Sequence, residues 1–381
     1  MPPIIVLLAV AVFAQGTSEF MLAGLLPGIA ADLDITVPQA GLLTSAFAVG
    51  MIVGAPLMAA VARHWSPRLA LSGFLFAFIA MHVVGALTDS FALLLATRFL
   101  AAIANAGFLA VALSTVTALV PADRTTRAVS VILGGTTLAL IAGVPLGAVV
   151  GSLLDWRAAL WGVALITVPA LVAVAVWAPA RAEGGRARIV PLRQELHVLR
   201  RRSLLVPLTL AALVNGATFC AFTYLAPVVT VNADLAEGAV PLLLAVFGLG
   251  AFVGVWVAGR FGDRHAAGIL KFGHGGLIVG WAAFAWLSAS PAAIVTLTSA
   301  MGGLSFAVGS TLIALSMRTA ATEAPTMSGS FATAALNIGA AAGPILGGVA
   351  YASSLGATGP LIVSVALAGL AAVVGLGRPR S

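Results

Sequence analysis

Residues 4–30 read IIVLLAVAVFAQGTSEFMLAGLLPGIA, a run of 27 residues holding a single charge, Glu19. As an α-helix such a run extends about 40 Å, enough to cross the ~30 Å hydrocarbon core of a bilayer. A helix on the surface of a soluble core carries a polar face along its length, and this run has none. It follows Met1-Pro2-Pro3 without the basic leader of a signal peptide and is too long for a cleaved apolar segment, so it is expected to stay as a first membrane span. The whole chain has the same character. Of its 381 residues 61% are hydrophobic and only 8% charged, against roughly 45–50% and 25% in soluble domains. That composition excludes a soluble enzyme, a secreted disulfide scaffold and a disordered chain. Barrel strands alternate apolar and polar residues, whereas here the apolar runs are unbroken. The fold class is an all-α polytopic membrane protein.

Breaks in hydrophobicity place twelve transmembrane helices near 4–30, 38–61, 69–87, 91–119, 128–151 and 158–178, then 204–229, 239–258, 268–287, 291–317, 326–350 and 358–376. The expected organisation is an N-terminal six-helix bundle (1–179), an Arg-rich linker (180–203) and a C-terminal six-helix bundle (204–381). The formal net charge of +7 would suggest nucleic acid in a soluble protein. Here the positions of the bases point to topology instead. Arg63, Arg68, Arg124, Arg127, Arg260, Arg264, Lys271, Arg318, Arg378, Arg380 and the seven arginines from Arg181 to Arg202 fall on the side holding both termini, 17 of the 19 basic residues. Only Arg157 lies on the other side, and Arg98 is inside a span. Because basic loops stay in the cytoplasm, both termini and the linker are expected there. The single Cys220 permits neither a disulfide framework nor a Cys metal cluster. No span holds metal ligands at metal-binding spacing, and no phosphate-binding loop of the Walker type occurs.

The two halves repeat. Gln15-Gly16-Thr17-Ser18-Glu19, with Pro27 beyond it, matches Asn215-Gly216-Ala217-Thr218-Phe219, with Pro227 beyond it, at an offset of 200 residues. Gly143-Val144-Pro145-Leu146-Gly147 in span 5 matches Gly343-Pro344-Ile345-Leu346-Gly347-Gly348 in span 11, the prolines 199 apart. Arg63 and Arg264, after spans 2 and 8, are 201 apart. Two related halves joined by a linker are the layout of a transporter with its site between the halves near mid-membrane.

These segments also carry a family resemblance. Gly339-x3-Gly343-Pro344-x2-Gly347-Gly348 is similar to the antiporter motif of the major facilitator superfamily, and Gly143, Pro145 and Gly147 form a looser copy. Gly259-x3-Asp263-Arg264 resembles the family's cytoplasmic loop motif, while its first-half counterpart, Met58-x3-Ala62-Arg63, has lost both Gly and Asp. Arg98 with Asn105 and Gly107 resembles the family's membrane-arginine motif, with Ala101-Ala102 in place of the usual Gln-Gly. The run Phe13–Met21, together with Ala40–Phe47 and Gly54-Ala55-Pro56-Leu57, is similar to the actinobacterial chloramphenicol-efflux proteins. The resemblance implies two pseudo-symmetric six-helix bundles and a monomer in the bacterial inner membrane. It further implies a drug:proton antiporter driven by the proton gradient, without a cofactor. Related exporters of sugars share much of the N-terminal run, so a metabolite exporter stays open as the alternative.

Glu19 is the only acid well inside a span and Arg98 the only base. A charge at that depth costs ~2.5 kcal/mol or more on insertion scales, so both are candidates for proton coupling. Burial favours the neutral carboxyl and a nearby cation favours the carboxylate, and a site moved between these environments can load and release a proton. A fixed Glu19–Arg98 pair is the structural alternative. Gln15 shares a helix face with Glu19, and Asn105 shares one with Arg98. The second half has Phe219 where the first has Glu19, and its spans offer Asn215, Tyr224 and Asn337. Gln15, Asn105, Asn215, Phe219, Tyr224 and Asn337 are therefore the expected substrate contacts, suited to a neutral, part-aromatic drug with hydroxyl and amide groups. His82 and His274 titrate near neutrality in water but are expected to serve helix packing. The clustered catalytic groups of an enzyme and the polar ring of a channel are both missing from the sequence.

Overall fold

The computed structural model describes residues 3–62, 65–119, 125–178, 197, 201–320 and 328–376. Among these the chain is helical and contains no strand. The first span is two helices, α1 (Pro3–Phe20) and α2 (Leu22–Asp32), bent by 52° where they meet. Then come α3 (Val37–Ala62), α4 (Pro67–Leu87), α5 (Phe91–Leu119), α6 (Thr125–Leu138), α7 (Val144–Leu153) and α8 (Trp156–Trp177). The second half holds α9 (Arg202–Thr223), α10 (Ala239–Leu287), α11 (Pro291–Ala320), α12 (Ser328–Tyr351) and α13 (Gly359–Leu376). Among the described residues eleven stretches are long and apolar enough to cross a membrane, or twelve with the bent first pair taken as one span. Spans 8 and 9 run as one 49-residue helix, α10, with a break at His265 (φ −124°, ψ 19°). The expected break at 259–267 is thus a one-residue kink rather than an open loop.

The chain packs as two units. One comprises residues 1–36 and 46–186, the other 37–45 and 187–381. The first residues of α3 therefore group with the second unit. Most of the expected linker, with Arg181, Arg186, Arg188, Arg193 and Arg200, lies outside the described residues, as do Arg63, Arg124, Arg378 and Arg380.

In unit 1, α4 packs on α5 and α8, and α1 on α6 and α8. Ile5, Leu8, Leu71, Phe108, Ile132, Ala170 and Val174 form one apolar core across these helices. Lipid chains are as apolar as leucine, so close fit rather than water exclusion holds such helices together. Small residues provide it. A Cβ on Gly135 would meet the carbonyl oxygen of Ala9, one on Gly143 would strike the Thr17 side chain, and one on Gly147 would come within 3.1 Å of Met21 Cβ. Between α6 and α7 the helix widens into a π turn, Ala139–Gly143, just before Pro145. Proline brings no N–H to the ladder and its ring crowds the preceding turn; the wider turn accommodates both.

Unit 2 repeats that seam between α9 and α12. A Cβ on Gly339 would strike the Ala212 carbonyl, one on Gly343 the Gly216 carbonyl, and one on Gly347 would lie 2.8 Å from Cys220 Sγ. A second π turn, Val228–Asn232, follows Pro227. Asp34 (φ 51°) and Asp234 (φ 50°) turn the chain at corresponding places, 200 residues apart, in the left-handed region that Asp tolerates. Several buried hydroxyls are satisfied by their own helix: Thr17 donates to Phe13 O, Thr167 to Val163 O, Thr218 to Val214 O and Thr311 to Ala307 O. In hydrocarbon that local bond replaces water.

One end of unit 1 is fastened by charge. Arg157 pairs with Asp32 at the end of α2, with Asp89 between α4 and α5 (2.7 Å), and with Asp155 (3.7 Å). Its guanidinium lies 4.3 Å from the Trp156 ring, whose Nε1 donates to Asp32.

Candidate functional site

Arg98 of α5 is buried, 2% exposed, and α1 holds it from two sides. Its guanidinium donates to Ser18 Oγ (2.7 Å) and to the Ser18 carbonyl (2.6 Å). The Phe47 ring of α3 lies under the charge, 4.6 Å from centroid to guanidinium carbon, a contact worth about 2 kcal/mol when desolvated. Across Ser18 stands His82 of α4, its Nε2 2.6 Å from Ser18 Oγ and its Nδ1 2.8 Å from the Phe78 carbonyl.

Glu19 follows Ser18 on α1 and is half-buried. It forms no ion pair with Arg98 within 4.0 Å, and among the described residues it makes no hydrogen bond. The partner of Arg98 is Ser18. Gln15, one turn earlier, is 1% exposed with both amide atoms unpartnered among the described residues. An unpaired amide in hydrocarbon costs a few kcal/mol. Asn105, two turns beyond Arg98 on α5, is buried as well.

In unit 2, Asn215 of α9 donates to the Leu336 carbonyl of α12 (2.7 Å), and Asn337 to the Thr333 carbonyl of its own helix (3.0 Å). Each amide keeps its carbonyl oxygen as a further acceptor. Phe219 lies edge-on to Phe222 (6.0 Å), Phe222 against Phe247 (4.6 Å), and Phe247 edge-on to Phe306 (6.2 Å). Tyr224 is fully enclosed. Its hydroxyl donates to the Pro344 carbonyl (3.0 Å), its ring stacks on Tyr351, and Gly41, Gly347 and Gly348 provide the space around it. Gly259, Asp263 and Arg264 lie on α10 just before the break at His265.

The sequence singled out Glu19 and Arg98 as charges, and the fold sets them on neighbouring helices. It did not disclose Ser18, Phe47, or the Phe222–Phe247–Phe306 cluster. Ser18 was visible as a neighbour of Glu19, but its orientation toward Arg98 depends on helix rotation. Among the described residues no group of three or more His, Cys, Asp or Glu side chains could hold a metal.

This arrangement of helices and intramembrane charge meets its family in sequence comparison: the Major Facilitator Superfamily profile matches residues 8–335. The chain belongs to that superfamily. It is 54% identical over 98% of its length to a chloramphenicol resistance protein of Streptomyces lividans, covering 95% of that protein. It is 32% identical to the inner membrane transport protein YdhP of Escherichia coli K12, across 96% of this chain and 92% of that one. Among solved structures, a bacterial homologue of the human lysosomal transporter Spinster, inward-facing and occupied, superposes with a TM-score of 0.76 at 17% identity, covering 98% and 94% of the two chains. The nucleoside transporter NupG gives 0.74 at 13% identity, covering 98% and 97%. As a superfamily member the chain is a multi-span membrane transporter of small molecules and not an enzyme.

Proposed function

We propose that this superfamily member exports chloramphenicol, or a neutral amphipathic drug of the same character, in exchange for protons. The observation that carries the substrate is the 54% identity, spread over 98% of the chain, to a protein named for chloramphenicol resistance. Chemistry agrees with it. The spans offer one free carboxyl, one tethered guanidinium and several amides among aromatic rings, which suits a neutral molecule with hydroxyl and amide groups. A permanent cation would call for a further acid, and Glu19 is the only acid well inside a span.

In this reading Glu19 carries the proton. A carboxyl whose surroundings change as the transporter alternates its access can load and release a proton. Gln15 and Asn105 in unit 1 are the amides this reading assigns to the polar atoms of the drug, and in unit 2 Asn215 and Asn337 each keep a carbonyl oxygen as a further acceptor. Phe219 covers its ring, while Tyr224, expected from the sequence as a second ring contact, is enclosed and bonded to Pro344 and is left out of this reading. Gly143, Pro145, Gly147, Gly339, Gly343, Pro344, Gly347 and Gly348 form the close seams along which spans move, and the segment Gly259–Asp263–Arg264 marks the turn between spans 8 and 9. The protein works as a monomer in the bacterial cell membrane, with both termini and the linker in the cytoplasm.

The test is expression in a sensitive host. Tolerance to chloramphenicol is expected to rise far more than tolerance to ethidium, and an uncoupler is expected to restore drug accumulation inside the cell. Protection against ethidium with none against chloramphenicol refutes the substrate; export that survives the uncoupler refutes the coupling.

A further inference from the structure

His82 touches neither Glu19 nor, in the reading above, the drug, yet it bonds the serine that holds Arg98. Its Nδ1 faces the Phe78 carbonyl at 2.8 Å, and a carbonyl only accepts, so Nδ1 carries a proton. Arginine only donates, so Ser18 Oγ accepts from Arg98 at 2.7 Å. With the ring neutral and protonated on Nδ1, Nε2 offers only a lone pair, so at 2.6 Å the Ser18 hydroxyl donates to it. The Phe78 ring packs against the imidazole with centroids 4.2 Å apart, and the cluster is closed to water, with Ser18 0% and His82 2% exposed.

We propose that His82 is a positioning residue for proton exchange: as a neutral imidazole it orients the Ser18 hydroxyl, which tethers Arg98 to α1 and keeps the guanidinium from closing onto Glu19. The consequence rests on the reading of Glu19 as the proton site. A guanidinium paired directly with Glu19 would hold it as a carboxylate; one held on Ser18 favours the carboxylate while leaving it able to take up a proton. Phe47 and the Ser18 carbonyl support the same position from α3 and α1. No other charged side chain described on the packed elements competes for these contacts. Helices α3 and α7 contain no ionisable residue, and on α6 only Arg127, outside the described side chains, is charged. On α4, Arg68 donates to the Ala178 carbonyl. Asp32, Asp89, Asp155 and Arg157 form their own cluster.

Two measurements on the full-length protein test this. In 15N-histidine-labelled protein, the His82 signal, identified by its loss in His82→Gln, is expected to report a neutral ring protonated on Nδ1 from pH 6 to 8, with an Nε2 shift that changes in Ser18→Ala. An Nε2-protonated or charged ring, or no response to Ser18→Ala, overturns the proposal whatever the role of Glu19. In proteoliposomes, His82→Leu is expected to release Arg98 toward Glu19 and move the pH midpoint of chloramphenicol transport about one unit to the acid side. His82→Gln, which keeps an acceptor and cannot titrate, is expected to restore the wild-type midpoint. A uniform loss of rate at every pH in His82→Leu, or a His82→Gln profile as displaced as that of Leu, overturns the proposal. Glu19→Gln with an unchanged pH profile refutes instead the assignment of the proton site, and the histidine signal still decides the contact.

Discussion

Glu19 is a carboxyl inside a span that, among the described residues, no side chain neutralises by pairing, and Arg98 is a cation that a serine holds in place. Replacing Glu19 by Gln keeps shape and polarity and removes titration. Uphill export is expected to fall to background while chloramphenicol binding to purified protein stays within about threefold, as equilibrium dialysis would show; export against a gradient at the wild-type rate refutes the role. Arg98→Ala removes the cation that favours the carboxylate, so Glu19 takes up its proton more readily and the pH midpoint of transport moves to the alkaline side. Proteoliposome uptake across pH 5–9 reads that shift, opposite in sign to the one expected of His82→Leu. Both charges were legible in the sequence because a lone charge in hydrocarbon is expensive and stands out. Their hydrogen bonds were not. Whether Arg98 meets Glu19 or Ser18 turns on the ~100° between successive residues of α1, which hydrophobicity cannot fix in a helix that is apolar all round. The closed surroundings of Tyr224 were hidden for the same reason, since they depend on glycines from α3 and α12 converging on one ring.

Among the elements, the seam between α9 and α12 rests on backbone meeting backbone at Gly339 and Gly343. An added methyl at Gly343 has no flexible neighbour to displace, so the helices must separate. Gly343→Ala is expected to cost about 1–3 kcal/mol, read as a lower melting temperature in detergent, while Gly369→Ala, with nothing within 4 Å of its Cβ, leaves melting unchanged or raised. Equal melting of the two variants refutes the seam. The Gly-Pro signatures made these contacts foreseeable, because small residues at helical spacing on two segments imply close approach. The kink at His265 was less so: the residues around it were read as a loop from their charges, but a short polar stretch continues a helix readily when few residues must turn the chain. Arg157, read from sequence only as the lone base on its side, proves to join α2, α8 and the α4–α5 connection. Arg157→Ala leaves three carboxylates without their cation and is expected to destabilise the protein by about 1 kcal/mol, the modest value of an exposed network. Thermal melting at low and high salt tests it, since the penalty is expected to shrink as salt screens the pairs.

At the scale of the molecule, the sequence holds an orientation that helix packing does not express. Basic residues number 17 on the side of the termini and one on the other, with Arg98 between. Cytoplasmic retention of Lys and Arg acts during insertion, through loops within about 15–20 residues of the span ends, and all loops here are that short except the linker. Seven of those 17 are linker arginines, and the first-half and second-half spans are biased alike, so no span is frustrated. Both termini and the linker are therefore expected inside. With Cys220 replaced by Ala, a cysteine introduced at Gly185 should resist a membrane-impermeant maleimide in intact cells and react once the cells are opened. A cysteine at Ser290, in the short connection between α10 and α11, should react in intact cells. The reverse pattern would invert the topology. Glu19 would then load its proton from the wrong side of the gradient, so this one labelling experiment also bears on the direction of drug movement.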